Sequence, residues 1–489
     1  MASTTLSPPV PESAAGDRSS RGLLVLLAAT FMTALDIFIV NVAIPAVQSD
    51  LHAGTAAIQW VVAGFGLAVA TGLITAGRLG DIFGRRRMFA VGLALFTVTS
   101  AACGIAPTAG DLVAARVLQG LSAALMSPQV LAILQTAYTG KAQARAFGMY
   151  GLTMGIGAVF GQLIGGLLIK ADVLGLGWRA CFLINVPVGL AALAMVPRAL
   201  AESRAPQRPR LDNTGVALST AAVVALVLPL IQGRELGWPL WTWLCLAGSA
   251  VLFAVFAAHQ RRLGRAGGDP VLNTGLFRQR GFGLGALTQL VFWTGQGSFF
   301  LILALYLQAG RGLDALGSGT VFLSIGAGYL LTSTTAHLTA ARMGRRTVPA
   351  GALLMAVGLG GLWAAVHASG TTGSLWALAP GLFVDGVGMG LVIAPLTHTA
   401  LAAVPPQLVG SASGVVATIQ QISGALGVAL IGIVFYGAVG GGAPARYPHA
   451  LGLGLAFLLA LELLLAALTL FAPQGQAGPE TAKEAPAHE

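Results

Sequence analysis

The chain has 489 residues, 56% of them hydrophobic and only 9% charged, with a mean hydropathy of +0.81. Soluble domains carry about 25% charged residues, so the composition indicates a membrane protein and excludes a soluble enzyme or binding module. The net charge of +10 does not point to nucleic acid, because the basic residues form short clusters between apolar runs, as membrane topology requires.

Residues 1–21 are polar and rich in Ser, Pro and Ala, and they are expected to be a disordered tail. The first apolar run follows, from Leu23 to Ile44. It is long enough to span a bilayer and unlike a cleaved leader. Its one acidic residue is Asp36. An ionised Asp at a bilayer centre costs about 2.5–3.5 kcal/mol, so an acid placed there asks for a functional explanation. Runs of similar length predict fourteen spanning helices, near 22–45, 57–77, 88–106, 111–135, 146–169, 180–198, 213–232, 240–258, 281–308, 315–338, 348–367, 374–399, 410–436 and 450–472. Residues 473–489 form a second polar tail. The joining segments are short, and no GxxxxGK[ST] loop occurs, so no nucleotide-driven domain is expected. With both termini cytoplasmic, all but six of the 27 Lys and Arg fall on the cytoplasmic side; Lys170, Arg179, Arg234, Arg311 and Arg446 fall opposite, and Arg116 lies within a span. This asymmetry supports the helix count.

The chain also echoes itself. GRRRM at Gly84 to Met88 returns as GRRTV at Gly344 to Val348, and the glycine-rich Gly148 to Gly166 has a weaker echo at Gly414 to Gly432. Two six-helix bundles, at 22–199 and 281–472, separated by a linker at 200–280 that carries two inserted helices, explain both offsets. Transporters are often built this way, with the substrate held between repeats near the midplane. The three cysteines fall within apolar runs without metal-ligand spacing and read as packing residues. His337, His367 and His398 are isolated near helix ends and read as structural, so no metal site is expected.

GRLGDIFGRRRM, Gly77 to Met88, joins the second and third spans. Its glycines permit a tight turn, and its arginines hold the turn at the cytoplasmic face. The full spacing G-x-L-x-D-x-x-G-R-R resembles the signature loop of the major facilitator superfamily. RVLQGLSAALMSP (Arg116 to Pro128) is similar to that superfamily's fourth-helix motif. WRACFLINVPVG (Trp178 to Gly189) and LDIFIVNVAIP (Leu35 to Pro45) are similar to stretches of its fourteen-helix drug:proton antiporter branch. The resemblance covers the whole chain. It implies an all-α polytopic membrane protein with the major-facilitator fold, two six-helix bundles plus two inserted linker helices. It further implies a proton-coupled antiporter exporting drug-like amphipathic small molecules across the cell membrane, as in antibiotic or multidrug efflux. No enzyme activity and no cofactor would be needed, since the proton gradient supplies the drive, and the unit is expected to be a monomer with both termini cytoplasmic.

The same resemblance assigns roles to residues. Gly77, Asp81, Gly84, Arg85 and Arg86 would form the conformational-switch loop, and Gly157, Gly161, Gly165 and Gly166 the close-packed antiporter helix. In GAVFGQLIGG, however, Gln162 stands where a proline is usual. This leaves the proline-dependent bend open, and with it an alternative: a proton-coupled importer or a uniporter of a small metabolite on the same fold. Phe38 likewise stands where a hydroxyl residue is common, and Ala341 replaces the counterpart of Asp81 in the second basic loop. Arg116 lies about five residues into an otherwise uncharged span and should face the bundle interior. With Arg116 as neighbour, Asp36 reads as the proton carrier, because burial favours the neutral acid and a nearby cation the charged one. Asn41 is placed to hydrate or orient that site. Cavity walls should come from the first, second and fourth spans and the first helices of the second half. The candidates are Asn41, Gln59, Trp60, Gln119, Gln289, Trp293, Gln296, Phe299, Phe300, Gln420 and Gln421. Rings with a few amides suit a large amphipathic substrate. Asp385, followed by glycines at 386, 388 and 390, reads either as a substrate or proton contact or as a structural hydrogen bond. Glu462 lies on the last span, where a contact with another helix, or a protonated acid, is expected rather than a site.

Overall fold

The computed structural model describes residues 12–204, 212–270, 274–278, 280–335, 342–402, 409–440 and 443–470, with single residues at 272, 339 and 404. Residues 1–11 of the expected N-terminal tail, the C-terminal tail 473–489 and His337 lie outside the described residues. The rest is helical: α1 Glu12–Asp50, α2 Thr55–Phe83, α3 Arg85–Gly104, α4 Ala109–Ala137 and α5 Gly140–Ala171. Next come α6 Gly177–Ala199, α7 Asn213–Gln232, α8 Leu240–Arg265 and α9 Arg280–Leu305. The last five are α10 Ala315–Ser333, α11 Thr347–Ser369, α12 Ala379–Ala402, α13 Val409–Val439 and α14 Tyr447–Leu470. Thirteen of these are long and apolar enough to cross a membrane, and α5, which is bent, makes fourteen. Helix α1 begins at Glu12, so the helix continues back into residues 12–21, which the sequence reading placed in the tail.

Within the first half, α4 packs on α2 and α3, and α1 packs on α5 and α6; within the second, α12 packs on α10 and α11, and α9 on α13 and α14. Each contact in one bundle thus has its counterpart in the other. The seam between the bundles is also two-fold in kind, since α2 meets α13 where α5 meets α10. Helices α7 and α8 pair with each other, and α7 rests on both α2 and α13, so the inserted pair straddles the seam.

Helix α5 bends by 44° between Ala158 and Phe160 although Gln162 replaces proline. Sharp bends without proline are typical of glycine-rich segments, and here the glycines also set the packing. A methyl group at Gly157 would lie 2.6 Å from Ala34 Cβ, one at Gly161 3.0 Å from Phe38 Cβ, and one at Gly165 2.6 Å from a methyl of Val42. These three form a stripe at four-residue spacing along which α1 lies almost backbone to backbone. Gly166 points the other way, onto Ala315 and Leu316 of α10. The bend expected of the missing proline therefore forms without it.

Candidate functional site

At the heart of the first bundle, four helices converge on Asp36. The carboxylate is fully buried, and Arg116 of α4 is only 1% exposed. Arg116 Nη1 donates to Asp36 Oδ2 and also to Gln119 Oε1 at 2.7 Å, while its Nε donates to the Val61 carbonyl at 3.0 Å. Gln119 Nε2 donates to Asp36 Oδ1 at 2.8 Å and to Ser100 Oγ at 2.8 Å, and Asn185 Nδ2 donates to Asp36 Oδ1 at 3.2 Å. The guanidinium lies 4.4 Å from the Phe65 ring centroid and 5.6 Å from that of Phe182. The carboxylate thus accepts from three side chains, one of them a guanidinium, in a charge-assisted network. The arrangement is a compact, buried polar cluster between α1, α3, α4 and α6.

The pairing of Asp36 with Arg116 is as the sequence reading placed it, but two neighbours differ. Gln119, taken for a substrate contact, is buried in this cluster and spends its amide on Asp36 and Ser100. Asn41 donates to the Phe38 carbonyl of its own helix at 3.3 Å, and the orienting amide is Asn185 instead. Asn185 was not singled out from the sequence, although it lies inside the WRACFLINVPVG stretch and is the one amide in its span.

A small apolar cleft lies between the halves, lined by Ala158 of α5 and by Phe300, Phe322, Ile325, Gly326, Tyr329 and Met389 of the second bundle. Phe38 of α1 meets Phe300 edge-on across the seam at 5.2 Å, and Phe300 stacks on Phe322 at 5.8 Å. The substitution at Phe38 therefore places a ring where the halves meet. Phe299 packs edge-on against Phe300. Gln289 accepts from Trp293 Nε1 at 2.9 Å and from Gln420 at 3.1 Å, and donates to Thr397. Three predicted cavity residues are thereby joined in one network across α9 and α13. Gln296 is buried and Trp60 half-buried. Of the pocket wall only Phe300 was foreseen.

The seam is tied at the end remote from the termini. Beyond α9 the chain makes a π-turn, Tyr306–Gly310, from which Gln308 donates to the Val42 carbonyl of α1 at 3.0 Å. Lys170 at the end of α5 pairs with Asp314 at 3.2 Å. Gln59 of α2 packs against Gly432 of α13. The turn after α7 joins this seal: Glu235 accepts from Thr55 and from the Ala56 N–H at the start of α2, and Arg234 lies over the Tyr436 ring of α13. The Asp314 carboxyl is held below the usual carboxylate range by the Gly317 N–H and then by Lys170.

At the opposite end, the predicted switch loop is a turn of one residue. Gly84 closes α2 and opens α3 at φ +109°, which favours glycine. Asp81 pairs with Arg85 at 3.1 Å. Glu202, just past α6, accepts from the Arg86 N–H at 3.0 Å and lies within ion-pair reach of Arg86 and Arg87. The Arg85 N–H donates to the Ser203 carbonyl, and Gly77 lies against Pro128 of α4. Arg78 donates to the carbonyls of Asp269 and Pro270, at the end of the inserted pair.

In the second bundle, Asp385 and Glu462 are buried, at 2% and 3% exposure. Asp385 lies where α12 crosses Gly358 of α11, and Glu462 of α14 approaches Gly295 of α9.

Two pseudo-equivalent bundles, an apolar cleft on their seam and a buried ion pair inside one of them are the architecture of a polytopic membrane transporter. A family model for the Major Facilitator Superfamily matches residues 26–428, and the chain belongs to that superfamily. Over 86% of its length it is 41% identical to the probable actinorhodin transporter of Streptomyces coelicolor, covering 73% of that protein. It is 38% identical to the puromycin resistance protein pur8 of Streptomyces alboniger, over 85% of this chain and 82% of that one. It is 35% identical to the tetracenomycin C resistance and export protein of Streptomyces glaucescens, over 88% and 78%. Among solved structures, a POT family transporter in complex with a thioalcohol-conjugated peptide superposes with a TM-score of 0.68 at 15% identity, covering 93% of this chain and 97% of that one. That likeness speaks for the fold alone.

Proposed function

We propose that this protein exports drug-like, amphipathic small molecules of the antibiotic class from the cytoplasm in exchange for protons. It would work as a monomer in the cell membrane with both termini cytoplasmic and without a cofactor. The names of its relatives, which are those of antibiotic transport, resistance and export proteins, support the direction and the substrate class. The aromatic pocket on the seam supports a flat or hydrophobic substrate. The observation that carries the reading is the buried Asp36–Arg116–Gln119–Asn185 cluster.

In this reading the tied end of the seam is the outer one, substrate reaches the pocket from the cytoplasm, and Asp36 is paired with Arg116. Once the bundles have rocked open to the outer face, a proton that reaches Asp36 from that side cancels the attraction that holds Arg116. Arg116 bridges α1, α2 and α4 through Asp36, the Val61 carbonyl and Gln119, so its release loosens three helices together and biases the two bundles to rock. Substrate leaves outward, and the proton is released inward when the pair re-forms. The gradient is adequate: one charge moving inward across 100 mV yields about 2.3 kcal/mol, which sustains roughly a fifty-fold substrate gradient. The importer alternative rested on the missing proline of α5, and the 44° bend forms without it.

The test uses everted membrane vesicles with an imposed pH gradient. An antibiotic substrate should dissipate the gradient through the wild type and not through Asp36→Asn. Coupling of opposite sign would mean import. Equal dissipation by the two proteins would remove Asp36 from the mechanism.

A further inference from the structure

The second bundle holds two acids that the cycle above leaves idle. Both carboxyl oxygens of Asp385, and Oε2 of Glu462, are buried without a hydrogen-bond partner. Unsatisfied buried polar atoms are uncommon and call for an explanation, and two uncompensated charges at this depth would be prohibitive. The two groups lie near enough for Asp385 to act on Glu462 electrostatically, and among the described residues no other charge acts on either. The ionisable side chains on the helices packed around them are engaged elsewhere. Tyr306 of α9 donates to the Gly370 carbonyl, Tyr329 of α10 lines the pocket, His367 of α11 stacks on Trp363, and Tyr436 of α13 lies under Arg234. Tyr447 and His449 sit in the first turn of α14, whereas Glu462 is four turns on. Glycine faces both acids, Gly358 against the Asp385 backbone and Gly295 beside the Glu462 carboxyl, so no side chain intervenes on those sides. A metal ion would want six or more oxygens, and among the described residues no group of three or more acids, His or Cys forms.

We propose that Asp385 and Glu462 together form a second proton-binding site, inside the second bundle, that exchanges one proton with the central pocket. Of the two, Asp385 occupies a counterpart position in the Asp36 cluster and Glu462 does not. The echo of Gly148 at Gly414 carries Gln119 onto Asp385, and the contact of α9 with α14 repeats that of α1 with α6. Met389, one turn along α12 from Asp385, lines the pocket and places that helix face beside the route a proton would take. When the bundle is sealed, both groups are acids with O–H bonds. When water reaches them, one O–H bond breaks, the proton passes to that water, and the remaining carboxylate is stabilised by the neighbouring acid. Such a pair titrates as a unit. The role of this proton in export rests on the antiport reading above, but its presence does not.

The experiment is infrared difference titration of the full-length protein in liposomes, with Asp385→Asn, Glu462→Gln and Asp36→Asn compared. Wild type and Asp36→Asn should show a protonated-carboxyl band that disappears as pH rises, and each C-half variant should lose it. In parallel, the protons moved per substrate should fall by one in Asp385→Asn while transport persists. A wild type that moves no protons with substrate but keeps the titrating band would sink the antiport reading and leave the site standing. A band that survives in both C-half variants, that never titrates, or that vanishes on adding sodium chloride at fixed pH would overturn the site.

Discussion

The interiors of the two bundles repeat each other's packing but not their chemistry. In the first, a single acid is bound by a cation, two amides and, through Gln119, a hydroxyl. In the second, two acids are buried with orphaned oxygens, and among the described residues no cation pairs with either. The two bundles thus house buried carboxyls differently, within a network that includes a cation on one side and without one on the other. Charge compensation binds helices together and breaks when a proton arrives. Neutral acids bind nothing strongly and can give a proton up. A duplicated scaffold can therefore hold a latch in one half and a reservoir in the other.

The widest separation is expected when one group is removed from each interior. Arg116→Ala leaves Asp36 as an uncompensated buried charge and should cost about 3–5 kcal/mol, read as a large loss of thermal stability in detergent. Asp385→Asn removes an acid with no partner and should change stability by no more than about 1 kcal/mol in either direction. Equal losses in the two variants would mean that Asp385 has a partner as strong as Arg116, and the contrast between the halves would be gone.

Next in size come the glycines that bring α1 against α5. Gly157→Leu or Gly165→Leu would drive a side chain into Ala34 or Val42 and should cost about 1–3 kcal/mol or more of packing strain, with export lost. The pairing that corresponds in the other half, α9 on α13, closes over Gly297 and Gly427, and Gly297→Leu should be as damaging. Normal export by Gly157→Leu would show that the close approach is dispensable and that the two halves differ in packing as well as in charge.

Smaller effects belong to the turn between α2 and α3. Gly84→Ala places a Cβ at φ +109° and should cost about 1–2 kcal/mol. Glu202→Gln weakens a partly exposed cluster with Arg86 and Arg87 and should cost about 1 kcal/mol or less. Both are expected to slow transport more than they lower stability, because this turn ties α2 to α6 within one half. Transport rates unchanged in both variants would confine the turn to topology.

Much of this was legible in the sequence, for reasons tied to particular residues. Charges inside apolar runs are rare and must find partners, so Asp36 and Arg116 could be paired without coordinates. Glycines at four-residue spacing mark a helix face that another backbone approaches, so Gly157, Gly161 and Gly165 were readable as a packing stripe. Gln289, Trp293 and Gln420 were picked out as amides and rings in first helices, and they do meet. Asn185 escaped because a lone amide in a span has many structural uses. It would have surfaced from asking which span supplies the second donor to Asp36. Phe322, Tyr329 and Met389 escaped because rings and methionines occur throughout the spans, and only the rotation of each helix decides which of them face the pocket. Glu202 escaped as one acid in a polar segment, since nothing in local sequence says that it folds back onto Arg86. The inserted pair read as a spacer, and its contacts at Arg234 and Glu235 depend on where a turn lands.

The smallest effect is expected where the two halves are joined at the end remote from the termini, the outer end in the proposed orientation, by Lys170 and Asp314. Both side chains are more than half exposed, so solvent screens the pair and its worth is about 0–1 kcal/mol. The Gly317 N–H, and after it Lys170, hold the Asp314 carboxyl below its ordinary 3.8. A carboxyl lowered in the folded state stabilises above its ordinary value and loses that contribution as pH falls through the lowered one. The latch should therefore be intact at neutral pH and weaken only in strong acid. Spin labels across the outer seam should report a slightly wider separation in wild type when the pH is brought below that value, with no further widening in Asp314→Asn. A change centred near neutral pH would have to come from elsewhere, and the buried acids of the two interiors are then the groups to substitute, Asp36 and the Asp385–Glu462 pair in turn. Which substitution removes the change would say whether the compensated or the neutral interior governs the opening of the outer seal.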